Sequence, residues 1–207
     1  MKVFFAAVLA VFSVFAFVPA LADEAPTDTG PLSPTEQQFV QSVKTDLLAR
    51  FPHVSDAEKA GYVRYTSPDD TGAISYADKK WNADPTHPSQ LWYDGSGNLM
   101  GADFSVPRPN GEPRPQLWGV SPGRWYEFNG HVHYVVMEPN GKMVYDQWIW
   151  NPDFVNAGGD LNSPSADTLV KLGKVPSPDF VRTIFDMPTQ WDLIVWVQPH
   201  AAGPFHW

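Results

Sequence analysis

Cysteine is absent from all 207 residues. Its absence excludes a disulfide framework, a thiolate nucleophile, a thiolate-ligated metal centre and a lipid-bearing cysteine. Basic residues are scarce as well: 14 Lys and Arg stand against 23 Asp and Glu, for a formal net charge of −9. Such a surface repels phosphate backbones and anionic lipid, and nucleic acid is excluded as an expected partner. No P-loop, dinucleotide-binding fingerprint or HExxH zinc motif occurs. Long apolar runs are missing beyond the first 22 residues, which leaves no segment able to span a membrane there.

The first 22 residues are different. Met1 and Lys2 precede the uncharged run Val3–Val18, and Ala20-Leu21-Ala22 puts small residues where a signal peptidase reads. The run falls short of the roughly 20 residues of a spanning helix and ends at Pro19. Residues 1–22 are therefore expected to be a signal peptide. The protein is then periplasmic or secreted, with no membrane association after cleavage. Residues 23–32, polar and rich in Pro and Gly, read as a flexible leader. Residues 33–207 read as a single β-rich domain, long enough to bury a core.

What the chain does have is punctuation and aromatics: 21 Pro, 15 Gly, 13 Phe, 7 Tyr and 9 Trp. Ser33-Pro34-Thr35-Glu36 forms a capping box, and behind it Phe39, Val43, Leu47 and Phe51 recur at steps of four. This predicts an N-terminal amphipathic helix ending near Phe51-Pro52. Strand patterns follow at Tyr62–Thr66, Gln90–Tyr93, Leu99–Val106, His131–Met137, Lys142–Trp150 and Trp191–Val197. The Pro-rich stretch Pro107–Pro115 predicts a projecting loop, and residues 151–163 read as loop. Short helices are expected at Ser163-Pro164 and Ser177-Pro178, before the last strand. Roughly six or seven strands joined by short turns give an α+β, mostly β fold, an antiparallel β-sandwich or barrel.

The chemistry concentrates in the stretch Gly130–Gly141, GHVHYVVMEPNG. With Asn140-Gly141 as a two-residue hairpin turn, His131 faces Trp150, His133 faces Trp148 and Val135 faces Asp146. The two histidines then share one strand face about 7 Å apart, close enough to converge on one ion. Candidate metal ligands are His131, His133, Glu138 and Asp146, with His87, His200 and His206 as further donors, and the candidate cofactor is a divalent transition metal. Trp148, Trp150 and Arg124 are the candidate ligand-binding side chains around it, the arginine orienting an anionic group.

Pro122-Gly123, His131-x-His133 and Glu138 resemble the first metal-binding motif of the cupins. The resemblance implies a double-stranded β-barrel in which His131, His133 and Glu138 are metal ligands. Gly119-Val-Ser121-Pro-Gly123 matches the nucleophile-elbow pattern, yet Pro122 lacks the N–H that an oxyanion hole needs after the serine, so a turn is expected. Asp94-x-Ser96-x-Asn98 opens like a calcium loop between strands and reads as a hairpin turn. Asp84, Asp103, Asp146 and Glu127 are candidate carboxylates for glycoside hydrolysis, a mechanism that requires a defined spatial separation. The function expected is an exported soluble binding module for a metal ion or small molecule. The alternatives are a cupin-like metal-dependent enzyme using the His-x-His strand and a self-associating structural protein.

Overall fold

A computed structural model describes residues 25–206. The proposed signal peptide lies outside the described residues. Among the described residues there are four α-helices: α1 (Pro34–Arg50), α2 (Val54–Lys59), α3 (Asn151–Asn156) and α4 (Ala166–Lys171). Nine strands accompany them: β1 (Val63–Arg64), β2 (Ile74–Ala77), β3 (Gln90–Tyr93), β4 (Leu99–Pro107), β5 (Tyr126–Phe128), β6 (His131–Met137), β7 (Met143–Trp150), β8 (Val181–Met187) and β9 (Gln190–Trp196). They form two antiparallel sheets, ordered β1-β2-β3-β4-β9-β5 and β7-β6-β8. Both sheets have free ends, so the barrel alternative is corrected: neither sheet closes on itself.

Helix α1 starts where its capping box dictates. The Glu36 N–H donates to Ser33 Oγ at 3.2 Å, and the Ser33 N–H donates to Glu36 Oε2 at 2.8 Å. Val40, Val43 and Leu47 of α1 pack with Leu91 and Tyr93 of β3, Phe104 of β4 and Leu193 and Val195 of β9. The opposite face of the larger sheet carries Trp92, Tyr126, Phe128, Ile194 and Trp196. Strand β9 is therefore buried along its whole length, which is why its sequence reads as an almost unbroken apolar run. The sheets meet where Tyr65 and Ala77 of the larger pack with Val135, Phe185 and Met187 of the smaller.

Several local expectations change. Residues 151–156 are the short helix α3, and β2, β5 and β8 are strands that the pattern did not single out. Three to seven residues with mixed polarity carry little periodicity; their pairing partners make them strands. The Pro-rich loop is tied down, because Trp191 Nε1 donates to the Glu112 carbonyl at 2.8 Å and the guanidinium of Arg108 lies over the Trp191 ring.

The stretch read as a leader is held by Arg124, by Arg114, which donates to Thr27 Oγ1 and the Ala25 carbonyl, and by the Gly123 carbonyl, which accepts from the Thr27 and Asp28 N–H groups. Arg124 is buried; it donates from Nε to Glu36 Oε1 at 3.1 Å, from Nη1 to the Asp28 carbonyl at 2.7 Å and from Nη2 to the Gly30 carbonyl at 2.8 Å. Burial alone would raise the Glu36 carboxyl, but hydrogen bonds from Arg124 and from the Ser33 and Ser121 backbones hold it below its ordinary value. Planar, multidentate donation is specific to arginine. Arg124→Lys and Arg124→Ala should both lower stability, the alanine variant by about 3–5 kcal/mol because Glu36 is left buried without its partner. Hydrogen exchange should then show residues 27–31 losing protection while β6 and β9 keep theirs. Unchanged protection of 27–31 in Arg124→Ala would refute the strap.

Candidate functional site

The hairpin β6–β7 sets the geometry. Its loop has three residues, Pro139-Asn140-Gly141: the Glu138 N–H donates to the Lys142 carbonyl at 2.8 Å, and Gly141 adopts φ +84°. Near the loop Met137 therefore pairs with Met143 and Val136 with Val144, one residue out of the expected register. A bulge at Asp146, with φ +61°, restores that register. Beyond it His133 pairs with Trp148 and His131 with Trp150, as the two-residue turn would also have given. The two irregularities cancel.

The bulge is anchored from the other sheet. The Asp146 N–H donates to the Tyr65 carbonyl at 3.0 Å, and the Ser67 N–H donates to the Asp146 carboxylate at 3.0 Å. Glu138 sits at the hairpin loop, where its carboxylate accepts from Asn140 Nδ2 at 3.2 Å. His87 meets Asp78, and His200 stacks on Trp196. Among the described residues, no three His, Cys, Asp or Glu side chains come together as a metal-holding group. Of the four candidate ligands, only the two histidines meet.

Their meeting is close. His131 Nε2 and His133 Nε2 lie 2.9 Å apart, and His131 Nδ1 lies 2.7 Å from the Asn129 carbonyl. Two nitrogens sharing a tetrahedral ion at about 2.05 Å stand about 3.3 Å apart, so 2.9 Å is the spacing of a hydrogen bond. A carbonyl only accepts, so His131 carries its proton on Nδ1 and offers the Nε2 lone pair. His133 then donates from Nε2, and its ring also feels the Gln147 backbone, which pulls against burial. Burial, with His131 as neighbour, pushes the His133 imidazole well below its ordinary value. Trp148 and Trp150 edge onto the His131 ring at 5.7 and 6.0 Å.

His133 leads into a polar seam between the sheets. The Tyr65 ring lies 4.6 Å from the His133 ring, and its hydroxyl donates to Gln90 Oε1. Gln90 Nε2 donates to Asp103 Oδ2 at 2.9 Å. Asp103 and Asp192 are both fully enclosed, and burial raises each carboxyl above its ordinary value. Asp103 is thus far from any exposed catalytic role. Asp84 is occupied by the N–H and hydroxyl of Thr86, and Glu127 by Arg108.

The accessible chemistry lies in a groove of about 940 Å³ at the ends of β6, β7 and β8. Trp81, Trp150, Asn129, Asn151, Asp186 and Val155 are among the residues lining it. Leu48, Trp150 and Val155 are the large apolar side chains left exposed among the described residues, and two of the three belong to this groove. Asn151 Nδ2 donates to Asp186 Oδ1 at 2.7 Å, and Asn151 Oδ1 has no hydrogen-bond partner. Burial raises the Asp186 carboxyl to about 6, against the pull of Asn151. A Cβ on Gly130 would come within 2.5 Å of Asn151 Nδ2, so only glycine admits this packing. Arg124, expected beside the histidines, is instead committed to Glu36 and the strap.

Sequence reasoning missed Asn151, Asp186 and Trp81 because the elements that carry them converge only in the tertiary structure. One signal was available for the seam: a lone acid inside an apolar strand run, as in Trp191-Asp192-Leu193. Nitrogen-15 NMR of the imidazoles should show His131 as the Nδ1–H form and His133 as the Nε2–H form, with His133 staying neutral well below the pH at which an ordinary imidazole titrates. An imidazolium signal from His133 near pH 6.5 would sink that assignment. Comparison of the chain with known protein families, with characterised proteins and with solved structures gives no match.

Proposed function

We propose that this protein is an exported binding module of sandwich architecture whose groove takes a small, neutral, polyhydroxylated ligand of the sugar class. The observation that carries the reading is the exposure of Trp150 in a groove beside Asn151, whose buried Oδ1 lacks a partner. An aromatic face offers its apolar surface to a sugar ring, while an amide and a carboxylate fix hydroxyl groups. The net charge of −9 disfavours anionic ligands. Two imidazoles hydrogen-bonded to each other supply no third ligand, which directs the reading to the small-molecule half of the expected function. The open sheets remove the barrel support for a cupin-like enzyme.

The test is calorimetric titration of the purified protein with a panel of neutral mono- and disaccharides. Binding should weaken at least tenfold in Trp150→Ala and several-fold in Asn151→Ala, with the thermal midpoint of each variant close to wild type. The Asp186 carboxyl, raised to about 6, is largely protonated at pH 5 and ionised at pH 7. A carboxylate accepts the stronger, charge-assisted hydrogen bond, so affinity should rise several-fold from pH 5 to pH 7 and lose that dependence in Asp186→Asn. No binding across the panel, or equal affinity in wild type and Trp150→Ala, would reject the reading.

A further inference from the structure

The central strands carry a second cluster that the groove does not use. On the face of the larger sheet opposite α1, Gln90 of β3 pairs with Asp103 of β4, and Ser105 of β4 pairs with Asp192 of β9. Asp103 stands one diagonal step from Asp192, since its direct partner is Ile194. Burial is complete: Asp103 and Asp192 are 1% exposed, Ser105 and Gln190 0%.

The two carboxylates are held in the same way. Gln90 Nε2 donates to Asp103 Oδ2 at 2.9 Å, and Gln190 Nε2 donates to Asp192 Oδ2 at 3.1 Å. The Gln90 amide is itself fixed by the Tyr65 hydroxyl. Three oxygens remain without a donor, Asp103 Oδ1, Asp192 Oδ1 and Gln190 Oε1, and the Ser105 hydroxyl turns to Asp192. The charge beside Asp103 is that of Asp192, and it raises the Asp103 carboxyl further. Two buried negative charges without a counter-charge are heavily penalised. One shared proton cancels one charge and serves the two carboxylate oxygens, and the Ser105 hydroxyl serves Asp192, yet one negative charge and Gln190 Oε1 stay unmet. A divalent cation answers both demands.

We propose that Asp103, Asp192, Ser105 and Gln190 form a buried site for a hard divalent cation of the calcium class, clamping β4 to β9. The donor set is all oxygen, which suits hard cations and disfavours zinc or copper. The two glutamine amides take the place of the outer-shell hydrogen bonds that orient carboxylate ligands in metal sites.

The test is calorimetric titration of the purified, chelator-stripped protein with calcium chloride and with magnesium chloride, together with thermal unfolding in each salt. One calcium ion per chain should bind, and the thermal midpoint should rise by roughly 5–10 °C at a hundredfold excess over Kd. Asp192→Asn should lose both effects, and its midpoint without metal should match or exceed that of stripped wild type because an uncompensated charge is gone. Ser105→Ala, which removes a single ligand and no charge, should fold and bind several-fold more weakly; it decides the matter if Asp192→Asn does not fold. A wild-type midpoint that responds to pH and to neither salt would assign the pair to a shared proton and overturn the proposal. So would a calcium effect that survives Asp192→Asn.

Discussion

Strand β9 is the constraint on which the rest depends. It is covered on one side by α1, through Leu193 and Val195, and its other side, with Ile194 and Trp196, carries the second core of the larger sheet. Period-two alternation leaves no solvent face for Gln190 and Asp192, which enter the interior with their neighbours on β3 and β4. Buried polar groups must find partners. The seam that runs from His131 through His133 and Tyr65 to Gln90, Asp103 and Asp192 is the consequence of that requirement. It also joins the two sheets, because Tyr65 sets its ring against His133 of the smaller sheet and its hydroxyl on Gln90 of the larger.

The hairpin β6–β7 meets the seam by a route that its turn alone does not reveal. Gly141, in the left-handed region, closes a three-residue loop, and the bulge at Asp146 adds back the residue that the loop displaced. Both features take positive φ, tolerated by glycine and, less readily, by aspartate. The Asp146 backbone and carboxylate are held by Tyr65 and Ser67. One contact therefore fixes the bulge, the register of the histidines and the position of the Tyr65 ring against His133 together.

Away from the seam, Trp150, Asn151 and Asp186 of the groove sit at or near element ends. Trp150 closes β7, Asn151 opens α3, and Asp186 lies near the end of β8. These positions combine rigid support with access, the condition for a binding surface. Arg124 serves structure instead, drawing residues 28–31 onto the base of α1 through their carbonyls.

Much of the local architecture was legible in the sequence. The capping box at Ser33 and Glu36, the hairpin around Gly141 and the buried character of β9 are signals carried by neighbouring residues, and local physics fixes them. The pairing of His131 with Trp150 and His133 with Trp148 was legible too, although two compensating irregularities produced it. Only the tertiary structure decided which polar groups meet. Glu138 and Asp146 lie on the same hairpin as the histidines yet find partners elsewhere, while Asp103 and Asp192, 89 positions apart in the chain, become neighbours. The physical reason is that burial and pairing of polar groups depend on where distant strands are placed, and strand order across a sheet leaves no trace in the periodicity of any one strand.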